Sequence, residues 1–116
     1  VAAAAAVEVL RIMLADGFLA SVRETGRYFV DRLQAVAERY PELATGVRGR
    51  GLLLGLVLTD KGVEQGLDIV QQMFAEGALI NFAGNKVLRF VPPLIVTPAE
   101  IDQLIDKLCR VLDRLV

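Results

Sequence analysis

One arginine in this chain sits where its charge needs an explanation. Arg89 lies between Leu88 and Phe90, ahead of Val91 and Pro92-Pro93, in an otherwise apolar run. A guanidinium buried without a partner is costly, so this one requires an anion or access to water. Its planar fork fits a carboxylate through two parallel hydrogen bonds. By local physics alone, an internal salt bridge or a solvent-facing position on an edge strand is the favoured account, and carboxylate binding is the functional alternative.

The other chemistry-bearing residues offer less. Gly49-Arg50-Gly51 has the outline of a phosphate loop. No Lys-Ser/Thr pair and no helix follows it, so its amides would not converge on an anion. It reads as a tight turn between strands, with Arg48 and Arg50 paired to carboxylates or chain ends. Asp16, Asp60 and Glu76 fall at expected helix boundaries, where turn and dipole effects account for them. Asp102, Asp106 and Asp113 mix with Lys107, Arg110 and Arg114 in the pattern of a solvated helical face. Cys109 lies beside an apolar stripe and reads as a structural thiol. With no histidine in the chain, Ser-His and Cys-His pairs and the commonest transition-metal ligand are excluded. One cysteine can form neither an internal disulfide nor a Cys-rich zinc site, and a lone thiol suits a reducing compartment.

These residues must be positioned by a small fold. The chain has 116 residues, 54% hydrophobic and 23% charged, which is a folding composition of about one domain's length. Thirteen basic against fourteen acidic residues leave a net charge of -1, so no bulk charge excess draws nucleic acid or an anionic membrane. The longest uncharged apolar stretches, residues 1–7 and 51–59, are too short to span a bilayer. An alanine-rich start with no Met and no cap suggests a cut through a longer protein.

Periodicity supplies the elements. Residues 1–15 read as a helix stopped at Asp16-Gly17. Val22, Gly26, Phe29, Leu33, Val36 and Tyr40 mark one face of a second helix, ended by Pro41. Residues 52–58 read as a buried strand, in which Gly55 suggests a bulge or a nearby backbone. Val63, Leu67, Val70 and Phe74 mark a third helix, expected from an Asp60 cap to about Glu76 with Gly77 as its stop. Residues 78–82 and 86–91 form a hairpin across Ala83-Gly84-Asn85. Thr97-Pro98-Ala99-Glu100 is a capping box opening a last helix, with Ile101, Leu104, Ile105, Leu108, Val111, Leu112 and Leu115 inward. The expected fold is α+β: a three- or four-stranded, mostly antiparallel sheet with helices packed mainly on one face.

Three segments carry a family resemblance. Val47-Arg48-Gly49-Arg50-Gly51-Leu52-Leu53-Leu54-Gly55, Glu76-Gly77-Ala78-Leu79-Ile80-Asn81 and Val87-Leu88-Arg89-Phe90-Val91-Pro92-Pro93-Leu94-Ile95-Val96-Thr97 resemble the C-terminal part of class III pyridoxal-phosphate aminotransferases, most of all the acetylornithine type. The alanine-rich opening is similar to the stretch just after that family's Gly-Asn-Pro segment. The resemblance implies a homodimeric, cytoplasmic fold type I enzyme that moves an amino group from N-acetylornithine to 2-oxoglutarate in arginine biosynthesis, using a lysine-bound pyridoxal phosphate. It also implies that Arg89 grips the substrate α-carboxylate.

The family's Schiff-base lysine, phosphate loops, pyridine-nitrogen aspartate and stacking aromatic would all precede residue 1. None of Lys61, Lys86 and Lys107 stands in a matching context. Residues 1–116 are therefore expected to be one domain, the small C-terminal one, with residues 1–16 a helix continuing from a large domain. No catalytic, cofactor-holding or metal residue is expected within it. Two alternatives stay open: a stand-alone α+β carboxylate-binding or dimerisation module, and the same domain of an ornithine or 4-aminobutyrate aminotransferase.

Overall fold

Leu54, Leu56 and Leu58 alternate along one strand, and Leu88 and Phe90 along its neighbour, all buried. A period of two sends them to one face of a sheet. In the computed structural model, which describes residues 1–116, that face is covered by helices. In chain order the elements are α1 (Ala2–Met13), α2 (Phe18–Arg39), β1 (Ala44–Arg50), β2 (Leu53–Leu58), α3 (Asp60–Glu64), α4 (Gly66–Ala75), β3 (Asn81–Ala83), β4 (Val87–Phe90) and α5 (Pro98–Asp113). The four strands pair antiparallel in the order β1-β2-β4-β3, as expected of the α+β reading.

The core joins sheet and helices. Phe29, Leu33 and Val36 of α2 and Ile101, Ile105, Leu108 and Leu112 of α5 are buried, as their spacing predicts. Phe29 meets Phe90 edge-to-face at 5.7 Å between ring centroids. The capping box forms in full: Thr97 Oγ1 accepts from the Glu100 amide at 3.2 Å, and Glu100 Oε1 accepts from the Thr97 amide at 3.0 Å. Gly84 and Asn85 both take positive φ (59° and 55°), the conformation of a tight hairpin turn whose twist matches the strands.

Several local expectations are corrected. The helix expected over 60–76 breaks at Gln65 into α3 and α4, and its cap is Thr59, whose Oγ1 accepts from the Gly62 amide at 3.0 Å, rather than Asp60. Its buried stripe is Gly62, Gly66, Ile69 and Met73; Val63 and Val70 pack half-buried against the core, while Leu67 and Phe74 are each 67% exposed. Gly66 lies flat against the Phe82 ring, where a Cβ would come within 2.7 Å, so a residue with no side chain marks the packed face. The strand expected over 78–82 is shorter and later, β3. Gly49 and Arg50 extend β1 rather than forming the turn, which falls at Gly51 and Leu52. The sheet irregularity lies between Ala44 and Gly46, not at Gly55, which instead accommodates the Val87 side chain. No residue of α1 is buried.

Candidate functional site

The register that buries the leucines also sets the opposite face. Arg48 pairs with Gly55, Gly55 with Arg89, and Arg89 with Asn81, so these four residues form one row across all four strands. Directly opposed residues point to the same side, with Cα atoms about 4.5–5.5 Å apart. Arg48 and Arg89 therefore rise from one face, two strands apart, over a residue without a side chain. A Cβ on Gly55 would collide with Val87 Cγ1, so Gly55 keeps the floor between the guanidiniums low. Arg48, Arg50 and Arg89, together with Leu53, Gly55 and Val87, line an open cavity of about 260 Å³.

Arg89 makes no internal salt bridge, and it faces solvent, though not from an edge strand. It stands on the interior strand β4, not on an edge, and no carboxylate lies within 4.0 Å of it. It is exposed and points away from the core. Arg48 and Arg50 also lack the carboxylate partners expected of them. The cavity offers fixed positive charge and hydrogen-bond donors, and its lining residues include no general acid, general base or nucleophile. Such a surface can bind and orient a carboxylate but cannot move a proton.

The acidic residues play a larger part in the fold than a solvated face suggests. Asp102 accepts a hydrogen bond from the Tyr28 hydroxyl. Asp113 accepts one from the Tyr40 hydroxyl, which also reaches the Cys109 carbonyl at 3.2 Å. Burial, and then the bond to Asp113, push the Tyr40 phenol well above its usual range. The bond to Asp102 raises that of Tyr28. Glu76 takes Arg110 Nε at 3.0 Å and Arg114 Nη2 at 3.3 Å, which holds its carboxyl below the usual range. The Lys61 ammonium, 2.9 Å from Glu42, does the same there. These groups latch helices and loops together on the covered side, away from the arginine row. Only their tertiary partners reveal this, because the contacts span from 19 residues of sequence, for Glu42 and Lys61, to 74, for Tyr28 and Asp102.

The lysines do not form a cofactor site. Lys61 is engaged by Glu42, Lys86 sits in the β3–β4 turn, and Lys107 lies on α5 near Gly77. None lines the arginine cavity, so the residues present do not fit a lysine-bound cofactor. Cys109, half-buried, lines a groove between α2 and α5. No group of three or more His, Cys, Asp or Glu side chains gathers as metal ligands would, and no helix is long and apolar enough to cross a membrane.

Known proteins share this chain's sequence pattern and fold. The sequence profile described as aminotransferase class-III matches residues 1–112. The acetylornithine aminotransferase of Thermosynechococcus vestitus is 40% identical over 114 residues, covering 98% of this chain and 28% of that protein. That of Methanocaldococcus jannaschii is 42% identical over 110 residues, covering 95% of this chain and 26% of its own length. Among solved structures, N-acetylornithine aminotransferase from Stenotrophomonas maltophilia superposes with a TM-score of 0.81 at 30% identity, over 90% of this chain and 29% of that one. A lysine aminotransferase from M. tuberculosis gives 0.83 at 28% identity, over 93% and 24%. The chain thus spans about a quarter of the length of the relatives it matches. With a family profile covering nearly every residue and the same sheet-and-helix arrangement in solved members, the chain belongs to the class III aminotransferases.

Proposed function

We propose that this chain is the C-terminal small domain of a pyridoxal-phosphate-dependent enzyme that moves an amino group from N-acetylornithine to 2-oxoglutarate in arginine biosynthesis, and that Arg89 is its grip on the substrate α-carboxylate. The observation that carries the reading is the unpaired Arg89 guanidinium, exposed on an interior strand beside Gly55. A charge held there without an internal partner is available to an incoming carboxylate. The names of the relatives, acetylornithine aminotransferases at about 40% identity, support the substrate class.

Pyridoxal phosphate, bound elsewhere in the longer protein, would supply the electron sink for the chemistry. This chain's share is positional. Two parallel hydrogen bonds from Arg89 fix the carboxylate in a plane, and that plane sets the orientation of the neighbouring Cα–H bond. Leu53 and Val87 flank the cavity with apolar surface that strengthens the contact by displacing water. In this reading α1 continues from the large domain. The exposure of Val7, Val9, Leu10 and Ile12, each at least half exposed, supports a covering body there. A homodimer in the cytoplasm follows from the family resemblance, and the single unpaired cysteine is compatible with that compartment.

The test is Arg89→Lys in the full-length enzyme, which keeps the charge and loses the fork. Both half-reactions are expected to slow, because amino donor and oxo acceptor each present a carboxylate beside the reacting carbon. Losing one charge-assisted hydrogen bond, about 1.5–3 kcal/mol, corresponds to roughly 10- to 150-fold in kcat/KM, with kcat falling as well. Normal half-reaction rates with a depressed melting temperature would make Arg89 a structural residue and sink the reading.

A further inference from the structure

The ten arginines fall into two sets. Arg11, Arg32, Arg39, Arg110 and Arg114 each have a carboxylate within 4.0 Å. The remaining five have none, and they are not scattered. Arg23 and Arg27, one turn apart on α2, share with Arg50 a cavity of about 440 Å³. Arg50 in turn shares the adjoining cavity with Arg48 and Arg89. Only one acidic residue, Asp31, lines either cavity, and it forms no ion pair. In a chain with a net charge of -1, this is a segregation of charge rather than an excess.

The fold enforces the gathering through glycine. A Cβ on Gly26 of α2 would run into the backbone of Gly51, at the turn of the β1–β2 hairpin. Helix α2 and the β1–β2 hairpin therefore meet backbone to backbone, which brings the α2 arginines beside those of β1. Five like charges gathered with one unpaired carboxylate among them raise the energy of the isolated chain, modestly at an exposed site and more where water is excluded. An arrangement of this kind is complementary to a surface that carries carboxylates. The two adjoining cavities, on either side of Arg50, together present a footprint wider than one phosphate or one carboxylate. The chain covers only 28% of a relative such as the Thermosynechococcus protein, which leaves a body far larger than itself to dock.

We propose that Arg23, Arg27, Arg48 and Arg50 form an electrostatic docking seat for carboxylate side chains of the remaining part of the longer aminotransferase chain. The proposal rests on the reading of this chain as a small domain, and it assigns these arginines to domain docking rather than to substrate. They hold the arginine row, and with it Arg89, against the body that carries the cofactor.

The experiment compares one pair of substitutions, Arg27→Gln with Arg48→Gln, in two proteins. In the 116-residue chain the melting temperature is expected to stay level or rise, because repulsion is relieved. In the full-length protein it is expected to fall by about 3 °C or more, because carboxylates lose their partners. The full-length deficit should shrink as salt is raised, and Arg27→Lys with Arg48→Lys should restore at least half of it; a packing defect would show neither behaviour. An unchanged full-length melting temperature, or a salt-independent deficit, overturns the proposal. So does stabilisation of the short chain by millimolar inorganic phosphate, abolished by the Gln pair, with no full-length loss, which would assign a small-anion site instead. Melting does not depend on turnover. A full-length protein that shows the salt-dependent deficit without transaminating would keep the docking seat and sink the proposed activity; normal transamination without the deficit would do the reverse.

Discussion

Two faces of the same sheet treat arginine in opposite ways. On the helix-covered side Arg32 lies 3.3 Å from Asp102, Arg39 lies 3.7 Å from Asp113, and Arg110 and Arg114 share Glu76. On the open side Arg48, Arg50 and Arg89 have no carboxylate partner, and Leu53 stands 58% exposed among them. These pairs lie on the solvent-exposed flanks of the helices, where partly hydrated carboxylates and guanidiniums meet across tertiary contacts. The open side leaves charge and apolar surface together in contact with solvent. The difference separates the contacts that hold this chain together from the surface on which the proposed carboxylate grip and docking seat lie.

The comparison breaks most readily at the level of packing. Leu33 is fully buried between sheet and helices, and Leu33→Ala should cost about 2–5 kcal/mol in urea unfolding. Leu53→Ala on the open face should stay within about 0.5 kcal/mol in the same chain. Comparable losses at the two sites would mean that the open face is part of the core.

A smaller effect sharpens the polar side. Tyr40 is 4% exposed, and its hydroxyl donates to Asp113 beside the Cys109 carbonyl. Tyr40→Phe keeps the ring and removes the donor, so it should cost about 1 kcal/mol. No loss on chemical denaturation would make the latch between α2 and α5 incidental.

The smallest effect is a pH dependence. Hydrogen bonds from Arg110, then from Arg114, hold the Glu76 carboxyl below its ordinary value of 4.5. The folded chain therefore gives up this proton more readily than the unfolded chain does. The stabilisation is fully present above pH 4.5 and is lost as pH falls through the lowered folded value. Glu76→Gln should flatten the stability profile in that acid window and leave its slope near neutrality unchanged. A variant with an unaltered acid slope would show that these surface pairs add nothing measurable.

Much of the fold was legible because its signals are local. The α2 stripe, the Thr97–Glu100 box and the Gly84-Asn85 turn each depend on residues within one or two turns of chain, where geometry is fixed by backbone sterics. The α3–α4 face was read only in part, at Val63 and Val70, for a physical reason. Gly62 and Gly66 carry the tightest contacts there, and a residue without a side chain contributes nothing to a count of apolar positions. Of the candidate site, Arg89 stood out by its apolar neighbours, whereas Arg23 and Arg27 gave no signal beyond ordinary charge on a helical surface.

The sequence by itself determined the α+β class, most element boundaries to within a few residues, and the one arginine whose apolar neighbours called for either an anion or access to water. The tertiary structure alone decided which charges are paired. Tyr28 and Asp102 are 74 residues apart, and Tyr40 and Asp113 are 73 apart, so no spacing rule connects them. The arginine row depends on register, in which a shift of one residue would turn Arg89 into the core. Local sterics act over a helical turn or a hairpin. Ion pairing acts over a few ångströms in space, and only the folded chain says which residues share them.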